Sequence, residues 1–153
     1  MNAYQFFLSF HSGFRYIVFL LVVIAIVRAF ANWFGKKAYS NGNRKLNLFT
    51  MISVHSQILI GLVLYFISPN VKFGGGVMKD PTARYWTVEH ITMMIIAMIL
   101  ITIGHSKSKK TTLPENKHKA IAIFYSLALV IIVVAIALMT KDAPGHTFFG
   151  ISH

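Results

Sequence analysis

The chain contains no cysteine and only four acidic residues among 153. The first absence excludes disulfides, thiolate metal centres, iron–sulfur clusters, covalent c-type haem attachment and thiol redox relays. The second leaves Asp80, Glu89, Glu115 and Asp142 scattered, with no carboxylate pair for acid–base catalysis. A phosphate loop is missing as well, because Gly74-Gly75-Gly76 is not followed by the Lys-Ser or Lys-Thr step it needs and reads as a flexible turn. No internal repeat stands out. No basic residue precedes the first apolar run, so that run does not read as a cleaved signal peptide and is expected to stay in the mature protein.

What is present is apolar. Hydrophobic residues make up 56% of the chain and charged residues 12%, and the mean hydropathy is +0.62, the composition of an integral membrane protein. Four runs, Phe6 to Ala31, Leu46 to Ile67, Tyr85 to Gly104 and Ala120 to Met139, each reach the roughly 20 residues a helix needs to cross the hydrocarbon. With their flanks the spans are expected at about 4–33, 45–68, 83–105 and 118–140. The segments between them are short and carry breakers: Gly35 with Asn41-Gly42-Asn43, Ser68-Pro69-Asn70 with the triple glycine, and Leu113-Pro114. A single all-α domain follows, an up-down-up-down four-helix membrane bundle with both termini on the outer side.

The formal charge of +11 comes from 15 Lys and Arg, a surplus that suits anionic lipid or nucleic acid. Its placement favours lipid, since no soluble domain is left to carry a nucleic-acid face. Lys36, Lys37, Arg44 and Lys45 in the first linker join Lys107, Lys109, Lys110, Lys117 and Lys119 in the third, so that side is expected to be cytoplasmic. The opposite side has Lys72, Lys79, Arg84 and Lys141, with Tyr4, Tyr65, Tyr85 and Trp86 expected as interfacial anchors. The fourth span is almost purely aliphatic apart from Tyr125 and Ser126 and reads as packing wall.

The other three spans each bury ionisable or strongly polar groups: His11 and Arg15, His55 and Gln57, and Glu89 and His90. Such groups are expensive in a membrane and usually face the bundle interior or a cavity. At 1.5 Å per residue, His11 and His90 both lie about 7 to 13 Å below the outer surface, and His55 about 18 Å below it. Spans one and three run in the same direction, so His11 and His90 are expected to face each other across the core. Two imidazoles at one level can ligate a haem iron from both faces. Arg15, one turn after His11, would reach Glu89 or a haem propionate, and Glu89 would fix a ligand tautomer. The bland alternative is that these histidines bond neighbouring helices and that Arg15 and Glu89 form structural glue.

Further readings stay open at this point. His105 is about 22 Å along the helix from His90 and on roughly the same side, as a second haem would need, but it lacks a partner at its level. His105 and His118 are therefore expected to belong with the basic clusters. His55, Ser56 or Gln57 would suit a quinone headgroup, although small polar residues are also ordinary packing devices. His90, Met94 and Met98 form one stripe, which permits Cu(I) and ranks below haem. His146 and His153 in the tail are uninformative.

The runs His11-Ser12-Gly13-Phe14-Arg15-Tyr16, Ile52-Ser53-Val54-His55-Ser56-Gln57 leading to Gly61 and Leu64-Tyr65-Phe66, Thr87-Val88-Glu89-His90, and Lys117-His118-Lys119 with Ile123-Phe124-Tyr125 resemble short bacterial four-helix membrane proteins labelled cytochrome b or cytochrome b-like. The resemblance covers most of the chain. It implies non-covalent haem b, with His11, His55 and His90 as the matching buried histidines, and electron transfer in the bacterial inner membrane. The expectation is a b-type cytochrome-like carrier or haem-bearing anchor subunit with one haem in the outer half, axially held by His11 and His90, with His55 as the alternative ligand. Respiratory or redox membrane subunits are the expected partners, homo-oligomers are allowed, and the chain reads as an electron-transfer protein more than an autonomous enzyme. The competing classes are a non-redox accessory or assembly subunit and a copper-handling membrane protein.

Overall fold

A computed structural model describes residues 2–67, 76 and 79–142, with backbone alone at 86, 87 and 140–142. In chain order these form α1 (Ala3–Phe34), α2 (Asn41–Ile67), a single turn α3 (Pro81–Arg84), a π-helical turn (Tyr85–Glu89), α4 (His90–Lys110) and α5 (Pro114–Asp142). The fold is all-helical. The four long helices are each long and apolar enough to cross a membrane, the third of them, α4, beginning at His90 after the short α3 and the π-helical turn. Ser68-Pro69-Asn70, Lys72, Gly74, Gly75, His146 and His153 lie outside the described residues, as do the side chains of Trp86 and Lys141.

Local chemistry explains where the helices begin and end. Asn2 Oδ1 accepts from the Gln5 N–H at 2.9 Å while Gln5 Oε1 accepts from the Asn2 N–H at 3.3 Å, a reciprocal cap on the first turn of α1. Asp80 Oδ1 accepts from the Thr82 N–H at 3.1 Å, and Pro81 opens α3 where its missing N–H costs nothing. At the other end of α1, Lys37 N–H donates to Asn32 O and Lys36 N–H to Trp33 O. That pairing requires a left-handed residue, and Lys36 takes it with φ 54°. Glycine would hold this conformation without the Cβ penalty, so Lys36→Gly should raise stability by about 0.5–1 kcal/mol, read as a higher unfolding midpoint in mixed micelles.

The long helices pack in a ring, α1 on α2, α2 on α4, α4 on α5 and α5 on α1, with the α4–α5 contact the most extensive and α2–α4 the sparsest. The interior is built from small or β-branched residues, including Val18, Val22, Ala25 and Ala29 of α1, Ala97 and Ile101 of α4, and Ala122 and Ala128 of α5. Small residues let backbones approach. Many apolar side chains also turn outward: Leu20 is 58% exposed, Leu59 65% and Val130 60%. An exterior this greasy suits acyl chains, not water.

Buried polar groups tie the ring across its diagonal and at its turns. Tyr125 Oη donates to Asn47 O at 2.8 Å, joining α5 to α2. His118 is almost fully buried, and its Nε2 donates to Lys37 O at 3.1 Å and Ala38 O at 3.3 Å. His105 is buried too. Both stand among the basic residues of the turns, as expected, but with their own rings buried; His118 clasps the α1–α2 turn to the start of α5, because carbonyls released at a helix end need donors.

Candidate functional site

One level of the bundle gathers the costly side chains of α1 and α4. Between the four long helices lies a cavity of about 140 Å³ whose wall includes His11, Ser12 and Arg15 of α1, Gln57 and Gly61 of α2, Tyr85, and His90 and Met94 of α4. The rest of the wall is mainly aliphatic. The imidazoles of His11 and His90 stand with centroids 6.4 Å apart and planes at 78°. The two histidines that depth arithmetic placed at one level are thus brought together.

Each ring is positioned by a different helix. Gly61 of α2 lies against His11, and a Cβ there would sit 3.3 Å from His11 Cε1. Gln57, one turn earlier, donates from Nε2 to His11 O at 2.8 Å, clamping α2 to α1 at the same point. Among the described residues, the buried His11 Nδ1 and Gln57 Oε1 have no hydrogen-bond partner. Buried polar atoms of this kind call for an explanation such as an ion or ligand.

His90 is held by Tyr85. In an α-helix residues five apart differ by about 140° around the axis, but the π-turn between them brings Tyr85 Oη to 3.1 Å from His90 Nδ1. The same hydroxyl lies 2.8 Å from Ala135 O of α5. A carbonyl can only accept, so the tyrosine proton goes to Ala135 and His90 Nδ1–H donates to the tyrosine oxygen. The neutral imidazole then carries its lone pair on Nε2. Tyr85 is fully buried, not the interfacial anchor expected of an aromatic residue at a span end.

The π-turn also settles Glu89. Arg84 Nε donates to Glu89 Oε1 at 2.8 Å, so the acid pairs five residues back along its own chain and not with Arg15. Arg15 Nη2 donates to Tyr16 Oη at 3.2 Å, with the guanidinium 5.1 Å from that ring's centroid. His55 is outside the cavity wall: its Nε2 is 2.8 Å from Thr102 Oγ1, whose own proton goes to Met98 O at 2.7 Å. His55 Nε2–H is therefore the donor, and the ring cross-links α2 to α4. Of the five candidate residues, His11, His90 and Arg15 share the cavity, and Glu89 and His55 serve contacts beside it.

Among the described residues no group of three or more His, Cys, Asp or Glu could hold a metal ion. The site offers two imidazoles, an arginine and an aliphatic wall. No protein-family model, curated protein or solved structure matches the chain.

Proposed function

We propose that the protein is a membrane b-type cytochrome-like electron carrier or haem-bearing anchor subunit, with His11 and His90 as axial ligands of one haem b. The observation that carries this reading is the 6.4 Å separation of the two imidazole centroids. Two imidazoles that line one cavity at this spacing, one from α1 and one from α4, would be the residues to hold an iron between these helices. Two donors are also the number that a porphyrin iron leaves to the protein, whereas a structural zinc ion takes four.

The residues present fit such a group in their chemistry. Tyr85 fixes the His90 tautomer that ligation at Nε2 requires, the role usual for a hydrogen-bond partner behind a ligating histidine. Arg15 supplies a cation for a propionate, and Gly61 leaves room for the His11 ring. At about 140 Å³ the cavity is near the size that accepts one benzene, so a macrocycle requires the wall to yield, and the sparse α2–α4 contact is its weakest seam. Haem b bound there would supply a one-electron ferric/ferrous couple, exchanged with a quinone or a redox partner subunit. The finer topology belongs to the same proposal: helices up-down-up-down, termini outside, and the basic turns facing the cytoplasm of a bacterial inner membrane.

Purification in mild detergent from haem-replete cells tests this directly. The expected result is a dithionite-reduced b-type spectrum with about one pyridine-haemochrome equivalent per chain. A colourless folded protein that also fails to take up added haem would sink the reading and favour an accessory subunit. Met94 in the cavity wall keeps Cu(I) as the second reading; selective Cu(I) binding lost in Met94→Ala would select it.

A further inference from the structure

The end of the bundle that carries the α1–α2 and α4–α5 turns holds a second, polar concavity. It is lined by Tyr39, Ser40, Asn41 and Arg44 from the start of α2 and its approach, Ser108 and Lys109 from the end of α4, and Lys117 from the first turns of α5. Three cations from three helices line it, and no acidic residue does among the described residues.

Among the described residues, the contacts that hold Arg44 and Lys117 neutralise neither. Arg44 donates from Nε and Nη2 to Asn41 Oδ1 at 3.2 and 3.0 Å, a neutral amide oxygen that fixes one edge of the guanidinium. Lys117 Nζ donates to Ser108 O at 2.7 Å and lies 5.5 Å from the Tyr39 ring centroid, again without an anion. The one ion pair among the described residues is Arg84–Glu89, which belongs to the cavity end of α4. The floor is rigid: Tyr39 Oη accepts from Asn47 Nδ2 at 2.9 Å, Ser40 Oγ accepts from the Asn43 N–H at 3.1 Å, and Ser108 is buried. The positive end of the α2 dipole faces the same space through Asn41.

We infer that this concavity binds the phosphate headgroup of an anionic phospholipid. It opens where the apolar helices give way to basic turns, the level at which headgroups lie, and basic pockets between spanning helices on such a face bind anionic headgroups. A partly fixed guanidinium with donors left over suits a phosphodiester better than diffuse surface charge does. The inference is independent of the haem proposal.

The test uses full-length protein in mild detergent with dioleoyl-phosphatidylglycerol as probe and dioleoyl-phosphatidylcholine as the zwitterionic control. Retained lipid is counted by native mass spectrometry and the melting midpoint is followed in parallel. The triple variant Arg44→Gln, Lys109→Gln, Lys117→Gln is compared with Lys45→Gln, Lys110→Gln, Lys119→Gln, which removes the same charge outside the concavity. Phosphatidylglycerol should be retained and raise the midpoint in wild type and the second variant, with affinity about fivefold weaker for each concavity cation removed. Equal losses in both variants, or no preference over phosphatidylcholine, would overturn the site. Inorganic phosphate that displaces the lipid effect and raises the midpoint alone would assign it to a free anion.

Discussion

On the proposed haem ligation, His90→Ala and His11→Ala should each abolish the b-type spectrum expected of the protein purified from haem-replete cells, while His55→Ala and His105→Ala should retain it. The asymmetry follows from where the rings stand. His11 and His90 face one another across the cavity, whereas His55 gives its Nε2 proton to Thr102 and His105 lies in the α4 turn bonded by Ser108. Losing one of two axial donors leaves a porphyrin iron with a single protein bond, and retention through purification should fall at least tenfold. His55→Ala should instead lower stability by about 1 kcal/mol, the ordinary cost of one lost side-chain hydrogen bond. Tyr85→Phe separates positioning from ligation. It removes the acceptor for His90 Nδ1–H, so the expected protein still binds haem, but 10- to 100-fold less tightly and with an altered reduction potential. A spectrum unchanged in both His11→Ala and His90→Ala would refute the assignment of the pair.

Much of this arrangement was legible from sequence because it depends on regular geometry. Hydropathy alone located four spans, and a constant rise of 1.5 Å per residue put His11 and His90 at one depth. The parts that were not legible come from places where regularity fails. The π-turn at Tyr85–Glu89 produces two contacts between residues five apart, Tyr85 with His90 and Arg84 with Glu89. Helical bookkeeping at three and four residues finds neither, and so it left Glu89 to Arg15 or a ligand imidazole and placed Tyr85 at the membrane surface. His118 was hidden for a similar reason. Its partners are the carbonyls of Lys37 and Ala38, exposed by a turn whose left-handed residue is a lysine, where glycine is the usual signal. Basic residues in a linker read as solvated charge until the turn geometry shows a buried acceptor among them.

Two glycines should answer the same substitution with different readouts, and Gly104 gives the larger effect on stability. A Cβ added at Gly104 would meet Phe124 Cβ at 2.7 Å, with Ala120 O and Tyr125 Cδ1 at 3.4 Å. Phe124 Cβ is fixed to the α5 backbone and cannot swing aside, so even Gly104→Ala must push α4 and α5 apart along the most extensive contact in the bundle. Overpacking of this kind costs about 1–3 kcal/mol for alanine, and Gly104→Leu should exceed that. The intrinsic helix preference for alanine over glycine, about 1 kcal/mol, opposes the clash without cancelling it in Gly104→Leu. At Gly61 the new Cβ meets only His11 Cε1, at 3.3 Å, and an imidazole ring can shift by a few tenths of an ångström. Gly61→Ala should therefore keep stability or raise it by up to the same ~1 kcal/mol of helix preference while, on the proposed haem ligation, changing the field at the His11–His90 pair. Denaturation in mixed micelles together with low-temperature electron paramagnetic resonance of the oxidised protein separates the cases: Gly104→Leu loses stability, and Gly61→Ala keeps it but shifts the low-spin ferric signal. A Gly61→Ala signal identical to wild type would mean that His11 does not bear on the iron.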